Sequence, residues 1–138
     1  MSISQDVKTR LETDWTLMNL LPGGVHRATE ISRQRTPSAF DDNGELRACA
    51  LVKASDETPD GPRAYAGRQL VEVWAYHPYD LDGVENILDR VHVLLQRHKL
   101  PNGAVWEARA FGGTRNFEDE TLQAAAGVGR YEVVVYRG

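Results

Sequence analysis

Two stretches of the chain repeat apolar residues at steps of three and four, the spacing that gathers side chains on one face of a helix. The first predicts a helix over residues 3–20, and Pro22, Gly23 and Gly24 stop it. Its apolar stripe consists of Ile3, Val7, Leu11, Trp15, Met18 and Leu21. The second predicts a helix over residues 81–99. Its stripe consists of Val84, Ile87, Leu88, Val91, Leu94 and Leu95.

Five shorter segments alternate apolar and polar residues or are rich in β-branched and aromatic residues, which is typical of strands. These segments are residues 25–31, 46–54, 69–77, 105–111 and 131–136. The polar residues 32–44 between the first two predict a loop, and the turn-rich residues 54–66 predict a long hairpin tip. The link over residues 112–128 is long, and its residues 118–126 are compatible with one or two helical turns.

The order of these elements predicts the fold class. One helical stripe is too narrow to enclose a core, whereas two helices on one face of a sheet bury both stripes. We therefore expect an α+β fold with a mixed or antiparallel β-sheet of four to five strands and two main helices packed on one face. The length of 138 residues and the hydrophobic fraction of 41% suit one domain over residues 1–138.

Charge and cysteine content narrow the possible partners and compartments. The formal net charge of −4 disfavours a protein that wraps phosphate backbones, because that mode needs a basic stripe. The single cysteine, Cys49, excludes an internal disulfide and is predicted to be a small buried hydrophobe, which suits a reducing compartment. The charged start has no signal-peptide pattern, and no apolar run approaches the ~20 residues of a membrane span. We expect a protein that is cytosolic or assembles from a cytosolic pool.

Residues that could carry chemistry have structural explanations that are favoured. His77 precedes Asp80 and Asp82, which suggests a metal site, but a turn whose aspartates cap the next helix explains the same residues. Residues 112–115, which end in Arg115, could cradle an anion, but a flexible exit from a strand is the favoured interpretation. The chain has no GxSxG and no phosphate loop. The sequence predicts no catalytic residue, no cofactor and no metal.

The three tryptophans are predicted to pack in the core. Aromatic platforms that stack on nucleic acid bases normally have basic neighbours, whereas Glu72 and Glu107 lie close to Trp74 and Trp106. Trp15 belongs to the stripe of the first predicted helix.

The layout resembles the tail terminator, or tail completion, family of long-tailed bacteriophages and related gene-transfer particles. The resemblance spans most of the chain and rests on a pattern of segments without a signature motif. The segments are LLPGG at 20–24, VHR at 25–27, QLVEVWAYHPYD at 69–80, GVENILDRV at 83–91 and GRYEVVVY at 129–136. The long tip at 54–66 and the long link at 112–128 depart from the family pattern.

The resemblance implies a small α+β domain that assembles into a homohexameric ring in the virion after a stage in the host cytoplasm. Such a ring caps the tail tube, ends tube polymerisation and offers a face to the head–tail connector or stopper. DNA passes through the lumen without sequence-specific binding. The expected partners are thus other copies of the chain, the major tail tube protein and the connector, with no membrane.

Charged residues outside the predicted core are the candidates for the subunit or partner interface. These are Arg27, Arg33, Arg35, Arg63, Arg68, Glu118, Asp119 and Glu120. The arginines of the 27–35 segment would face the acidic run of a neighbouring identical subunit. Two alternatives remain: a head–tail joining or stopper protein of the same neck, and a small ligand-binding or enzymatic α+β domain that uses His77, Asp80 and Arg115.

Overall fold

The computed structural model describes residues 3–54, 58–60, 66–78, 81–95, 99–100, 105–110, 115–119 and 124–136. Its helices are α1 (Ile3–Glu12), α2 (Trp15–Leu20) and α3 (Leu81–Leu95), with a short 3₁₀ turn at Pro37–Ala39. Its strands are β1 (Val25–His26), β2 (Cys49–Ala54), β3 (Thr58–Asp60), β4 (Ala66–His77), β5 (Lys99–Leu100), β6 (Val105–Ala110), β7 (Arg115–Asp119) and β8 (Ala124–Tyr136).

The strands of the described residues form one sheet with the order β1-β2-β4-β8-β6-β5. In addition, β3 pairs with the start of β4, and β7 pairs with the start of β8. The pairing of β1 with β2 is parallel and every other pairing is antiparallel. The predicted fold class, α+β with a mixed sheet and two main helices on one face, is confirmed.

Alternate residues of β2 show how the two faces of the sheet are covered. Ala50 and Val52 pack with the three helices in the larger core cluster. Cys49 and Leu51 point to the other face, where they pack with Ile31 and other residues of the segment that connects β1 to β2. The helices therefore cover one face, and an irregular segment covers part of the other.

The first predicted helix, over residues 3–20, is wrong as a single element. The helix breaks after Glu12, and α2 starts at Trp15 with Asp14 as its N-cap in an extended conformation. The Asp14 carboxylate accepts a hydrogen bond from the backbone N–H of Leu17 at 2.8 Å, which satisfies a donor that the break exposes. The break turns Trp15 out of the stripe, so its side chain is 79% exposed. The prediction that Trp15 packs in the core is therefore wrong.

The second predicted helix is confirmed in its body and wrong at its end. All six residues of its stripe are buried in α3. The helix ends at Leu95, however, and Lys99–Leu100 forms β5, whose backbone pairs with Glu107 and Trp106 of β6. Residues 96–98 lie outside the described part.

The described residues of the 118–126 stretch form strands and not helical turns, and residues 120–123 lie outside the described part. Residues up to Asp119 belong to β7, and β8 begins at Ala124, seven residues before the predicted closing strand. Tertiary pairing overrides the helix propensity of the alanines, because Ala125 and Ala126 pair with β4 on one side and with β7 on the other.

The remaining strands differ from the prediction mainly at their ends. β1 stops at His26 instead of residue 31, and β2 begins at Cys49 instead of residue 46. β4 starts three residues before Gln69, so it also pairs with β3 inside the predicted hairpin tip.

The turn between α2 and β1 explains the paired glycines of the sequence. Gly23 donates its backbone N–H to the carbonyl of Ala48 at 2.8 Å. A Cβ atom at Gly23 would lie 2.9 Å from that carbonyl oxygen, closer than real side chains approach. Gly24 adopts a φ of 78°, which favours glycine. This turn locks the end of the helical layer onto the start of β2.

Candidate subunit interface

Three of the arginines predicted for the interface, Arg27, Arg33 and Arg35, are exposed, and each makes its own contacts within the chain. Arg27 lies at the β1 edge, where its Nη1 donates to Gln5 of α1 at 3.0 Å. Arg35 donates to Thr29 at 2.8 Å and forms an exposed ion pair with Glu30 at 3.4 Å. Arg33 instead lines a cleft. Of these three arginines, Arg33 lines the cleft and Arg27 and Arg35 do not.

The other predicted interface residues are only partly described. Arg68 stands in β4, where its backbone pairs with Thr58 of β3. Glu118 and Asp119 end β7 and pair with Ala125 and Ala124. Arg63 and Glu120 lie outside the described residues.

The cleft that Arg33 lines has a volume of about 570 Å³. We call it the arginine cleft. It lies where the end of α2, the start of β2 and the end of β4 meet. Its lining residues are Asn19, Leu20, Pro22, Arg33, Asp41, Glu45, Leu46, Arg47, Ala48, His77 and Pro78. Its volume falls in the range of ligand-binding pockets. Its lining combines apolar and charged groups, which suits a bound peptide segment better than the flat surface of another protein.

Both guanidinium groups of the arginine cleft are held by contacts within the chain. The Nε of Arg33 donates to the Gly44 carbonyl at 2.8 Å, and its guanidinium lies 5.0 Å from the centre of the Phe40 ring. The Nη2 of Arg47 donates to the Ser38 carbonyl. Within the described residues, the two Nη groups of Arg33 and the Nη1 of Arg47 have no hydrogen-bond partner. The cleft thus presents fixed donors with capacity for an oxygen ligand.

The two acidic residues of the cleft, Asp41 and Glu45, differ in how their carboxylates are used by the fold. Oδ1 of Asp41 accepts two backbone hydrogen bonds at 2.9 Å, from Asn43 and Glu45, which close a tight turn. Glu45 has an exposed side chain. The Asp41 carboxylate is therefore used by the fold, which leaves the arginines as the groups available to a ligand.

His77, the centre of the suggested metal site, packs against the first turn of α3. A Cβ atom at Gly83 would overlap its imidazole ring, so the glycine makes room for it. Asp82 is exposed at the start of α3, and Asp80 lies outside the described residues. In the described part of the chain, no group of three or more His, Cys, Asp or Glu side chains is arranged to hold a metal ion. Arg115 begins β7 and is paired with Val128, at the opposite edge of the sheet from β1.

A second surface surrounds the break between α1 and α2. Arg90 of α3 donates two hydrogen bonds to the Asp14 carboxylate, at 2.7 and 2.8 Å. The hydrogen bonds from Arg90 hold the pKa of Asp14 below its usual value of 3.8, and the backbone N–H of Leu17 acts in the same direction. This bidentate pair ties α2 to α3, and Trp15 and Val93, 79% and 56% exposed, stand beside it. Exposed aromatic residues of this size are common in protein contacts.

Cys49 is fully buried, as predicted, and burial raises the pKa of its thiol to about 12. A thiol with such a pKa is neutral at physiological pH and is a poor nucleophile. Among the described residues, no helix combines the length and apolarity that crossing a bilayer requires.

Sequence reasoning did not identify Arg47, nor that it lines the same cleft as Arg33. The arginine cleft gathers residues from four separate stretches of the chain, 19–22, 33, 41–48 and 77–78, which no local pattern connects. The one available signal was Gly23 and Gly24, because a tight glycine turn brings the end of a helix close to a neighbouring strand.

The chain matches no model of a known protein family, and no curated protein matches it significantly. Among solved structures it is similar to a chain of the virion of the native gene transfer agent (GTA) particle. The two chains superpose with a TM-score of 0.76, and the match covers 98% of this chain and 95% of that one. Their sequences are 9% identical. The comparison therefore shows that the two chains share a fold over nearly their whole length.

Proposed function

We propose that the chain is a structural subunit of a phage-like virion, and that it forms the ring that caps the tail tube. The observation that carries the proposal is the fold shared with a chain of a GTA virion, which extends over 98% of this chain. Near-complete coverage of both chains matters because it matches a whole small subunit and not a common fragment. Fold alone does not determine function, so the proposal also depends on the surfaces and on the sequence resemblance.

The surfaces support a protein that works through contacts. Exposed large apolar residues, led by Trp15, remain on the helical side although the interior is well packed. The arginine cleft lies on a different part of the subunit from β7, the strand that ends in Glu118 and Asp119. Ring subunits need two different complementary patches, because a head-to-tail contact joins unlike surfaces.

The charge of the chain agrees with a ring through which DNA passes. The net charge of −4 gives no general attraction for phosphate, so a duplex is free to slide. In this proposal the whole chain acts as one domain and forms a homohexamer. Its partners are the major tail tube protein on one side and a head–tail connector or stopper on the other, in a virion assembled in the host cytoplasm. It requires no cofactor and no enzymatic activity.

The test is the morphology of particles made without the chain. Since a terminator stops tube polymerisation, its loss gives tails that are longer than normal and variable in length. Electron microscopy of particles from a deletion strain, complemented with the wild-type chain as a control, measures this directly. Tails of normal length beside filled, unattached heads would contradict the terminator role and indicate a joining or stopper protein.

A further inference from the structure

We propose that the arginine cleft receives the acidic end of β7 from a second copy of the chain, so that the subunits join head-to-tail. This inference rests on the proposed ring and specifies its contact. It replaces the acceptor suggested by the sequence, the 27–35 arginines as a group, with Arg33 and Arg47.

The acceptor side is prepared for a carboxylate. Arg33 and Arg47 are fixed by backbone carbonyls, Gly44 for the first and Ser38 for the second. The N–H donors that remain belong to planar guanidinium groups, and such groups bind carboxylates in a bidentate geometry. Since both arginine side chains are already held in place, binding restricts few additional rotatable bonds and therefore costs little conformational entropy.

The acidic residues of the cleft restrict what it accepts. Asp41 and Glu45 balance the charges of Arg33 and Arg47, so the cleft has no excess of positive charge to attract a polyphosphate. The Asp41 carboxylate is engaged with the backbone. A short acidic segment with an apolar flank fits this combination, because Leu20 and Leu46 form the apolar part of the lining.

The donor side is the end of β7. This strand has the sequence RNFED, and its last two residues are Glu118 and Asp119. β7 pairs on one side with β8, and among the described residues no strand pairs with its other side. Within the described part, this edge of β7 is therefore a border of the sheet.

The topology places the two surfaces at the same level and on opposite edges of the sheet. Residues 125–128 of β8 pair with β7 and also with the last residues of β4, which in turn pair with the first residues of β2. The strand order across this end is thus β1-β2-β4-β8-β7. The cleft adjoins the start of β2, and β7 is the opposite border. Unlike patches on opposite edges form the heterologous contact that closes into a ring or extends as a chain.

Direct extension of the sheet by the unpaired edge of β7 would need a sufficiently long edge strand on the neighbouring subunit, so it is a weaker explanation for the same contact. The edge strands β1 and β5 are two residues long, and β3 has a proline at its centre, Pro59. Short strands and prolines are features that prevent edge-to-edge pairing. A side-chain contact between β7 and the arginine cleft avoids this obstacle.

The experiment disables each surface separately in the full-length chain. Arg33→Glu reverses the charge of the cleft, and Asp119→Arg reverses the charge of the β7 end. Arg35→Glu is the matched control, since Arg35 is exposed in the same turn but lies outside the cleft. Glu118→Arg is a second variant of the β7 end. Circular dichroism checks folding, and sedimentation velocity and native mass spectrometry report the assembly state.

We expect each disabling variant to be monomeric at concentrations at which the wild type and Arg35→Glu assemble. An equimolar mixture of Arg33→Glu and Asp119→Arg should regain assemblies of wild-type size with the two chains alternating, because each intact β7 end meets an intact cleft and each reversed β7 end meets a reversed cleft. A chain that carries both substitutions should regain assemblies of wild-type size, because the swapped charges again attract. The dissociation constant between subunits should be at least tenfold higher for each disabling variant than for the wild type.

Each remaining outcome has a defined meaning. Arg33→Glu that assembles like the wild type, or an equimolar mixture that stays monomeric, overturns the contact while the ring proposal stands. Wild-type chains of open, unlimited length that Arg33→Glu dissolves would support the contact and overturn the ring. A wild type that stays monomeric under every condition, tail tubes included, overturns both.

Discussion

Substitutions at Asp14 measure how strongly α2 is coupled to α3. Its carboxylate caps α2 through Leu17 and accepts two hydrogen bonds from Arg90. Asp14→Ala removes both roles, whereas Asp14→Asn retains a capping oxygen and removes the charge. A lost N-cap costs about 1 kcal/mol, and a lost partly exposed ion pair costs about 1 kcal/mol more. We therefore expect Asp14→Ala to lower the free energy of unfolding by about 2 kcal/mol and Asp14→Asn by about half as much.

Urea unfolding followed by circular dichroism measures both changes. With an m-value of about 2 kcal/mol/M, the midpoint falls by about 1 M for Asp14→Ala and by about 0.5 M for Asp14→Asn. Glu12→Gln is the control, because the Lys8–Glu12 pair on α1 also has a 3.0 Å contact but is exposed. Its midpoint should change by less than about 0.25 M. Equal midpoints for Asp14→Asn and the wild type would refute the role given to Arg90.

The pH dependence supplies an independent check. Hydrogen bonding to Arg90 lowers the pKa of Asp14 in the folded chain. The stability from this group is therefore fully present above the unfolded-state pKa of about 3.9, and it is lost as the pH falls through the lower folded-state pKa. The stability difference between the wild type and Asp14→Asn should be constant from about pH 5 to 8 and shrink below about pH 4. A difference that is unchanged at the acid end would exclude the ion pair as its source.

Three further predictions follow from the packing. Gly23→Ala should lower the free energy of unfolding by about 1–3 kcal/mol in urea titration, because its Cβ would collide with the Ala48 carbonyl; unchanged stability would refute the described turn. The Cys49 thiol, whose pKa is raised to about 12, should resist a thiol-reactive dye at pH 8 until urea unfolds the chain, and rapid labelling of the folded chain would contradict its burial. Leu51→Ala should cost about 2–5 kcal/mol by thermal or urea unfolding, since Leu51 is fully buried under the β1–β2 segment, and a cost below 1 kcal/mol would show that this second face is not packed.

Local periodicity was sufficient to predict α3 and the two-helix layer. Its six stripe residues are all buried, because a sustained repeat at steps of three and four has few other solutions. The same rule failed near Trp15, since the break at Asp14 is stabilised by Arg90, a residue 76 positions away. Such a contact is invisible to any window of sequence.

The start of β8 shows a second limit of local reasoning. Its run of alanines and glycines carries no strand pattern, and the segment is extended because strands pair with it on both sides. The arginine cleft shows a third limit of local reasoning, because its lining residues come from separate stretches of the sequence. The charge of Arg33 made it a candidate interface residue in the sequence. Arg47 becomes a candidate only in the structure, because a tight turn at Gly23 places the end of α2 over the start of β2, where Arg47 lines the cleft.

The most direct test of the central claim is the number of copies in the assembly that the purified chain forms at the end of a tail tube. Native mass spectrometry of the released assembly, with electron microscopy of the capped tube, measures it. We expect a closed ring with six times the mass of one chain, seated on the tube end. A monomer that leaves tube ends bare, or an open filament without a fixed copy number, would contradict it.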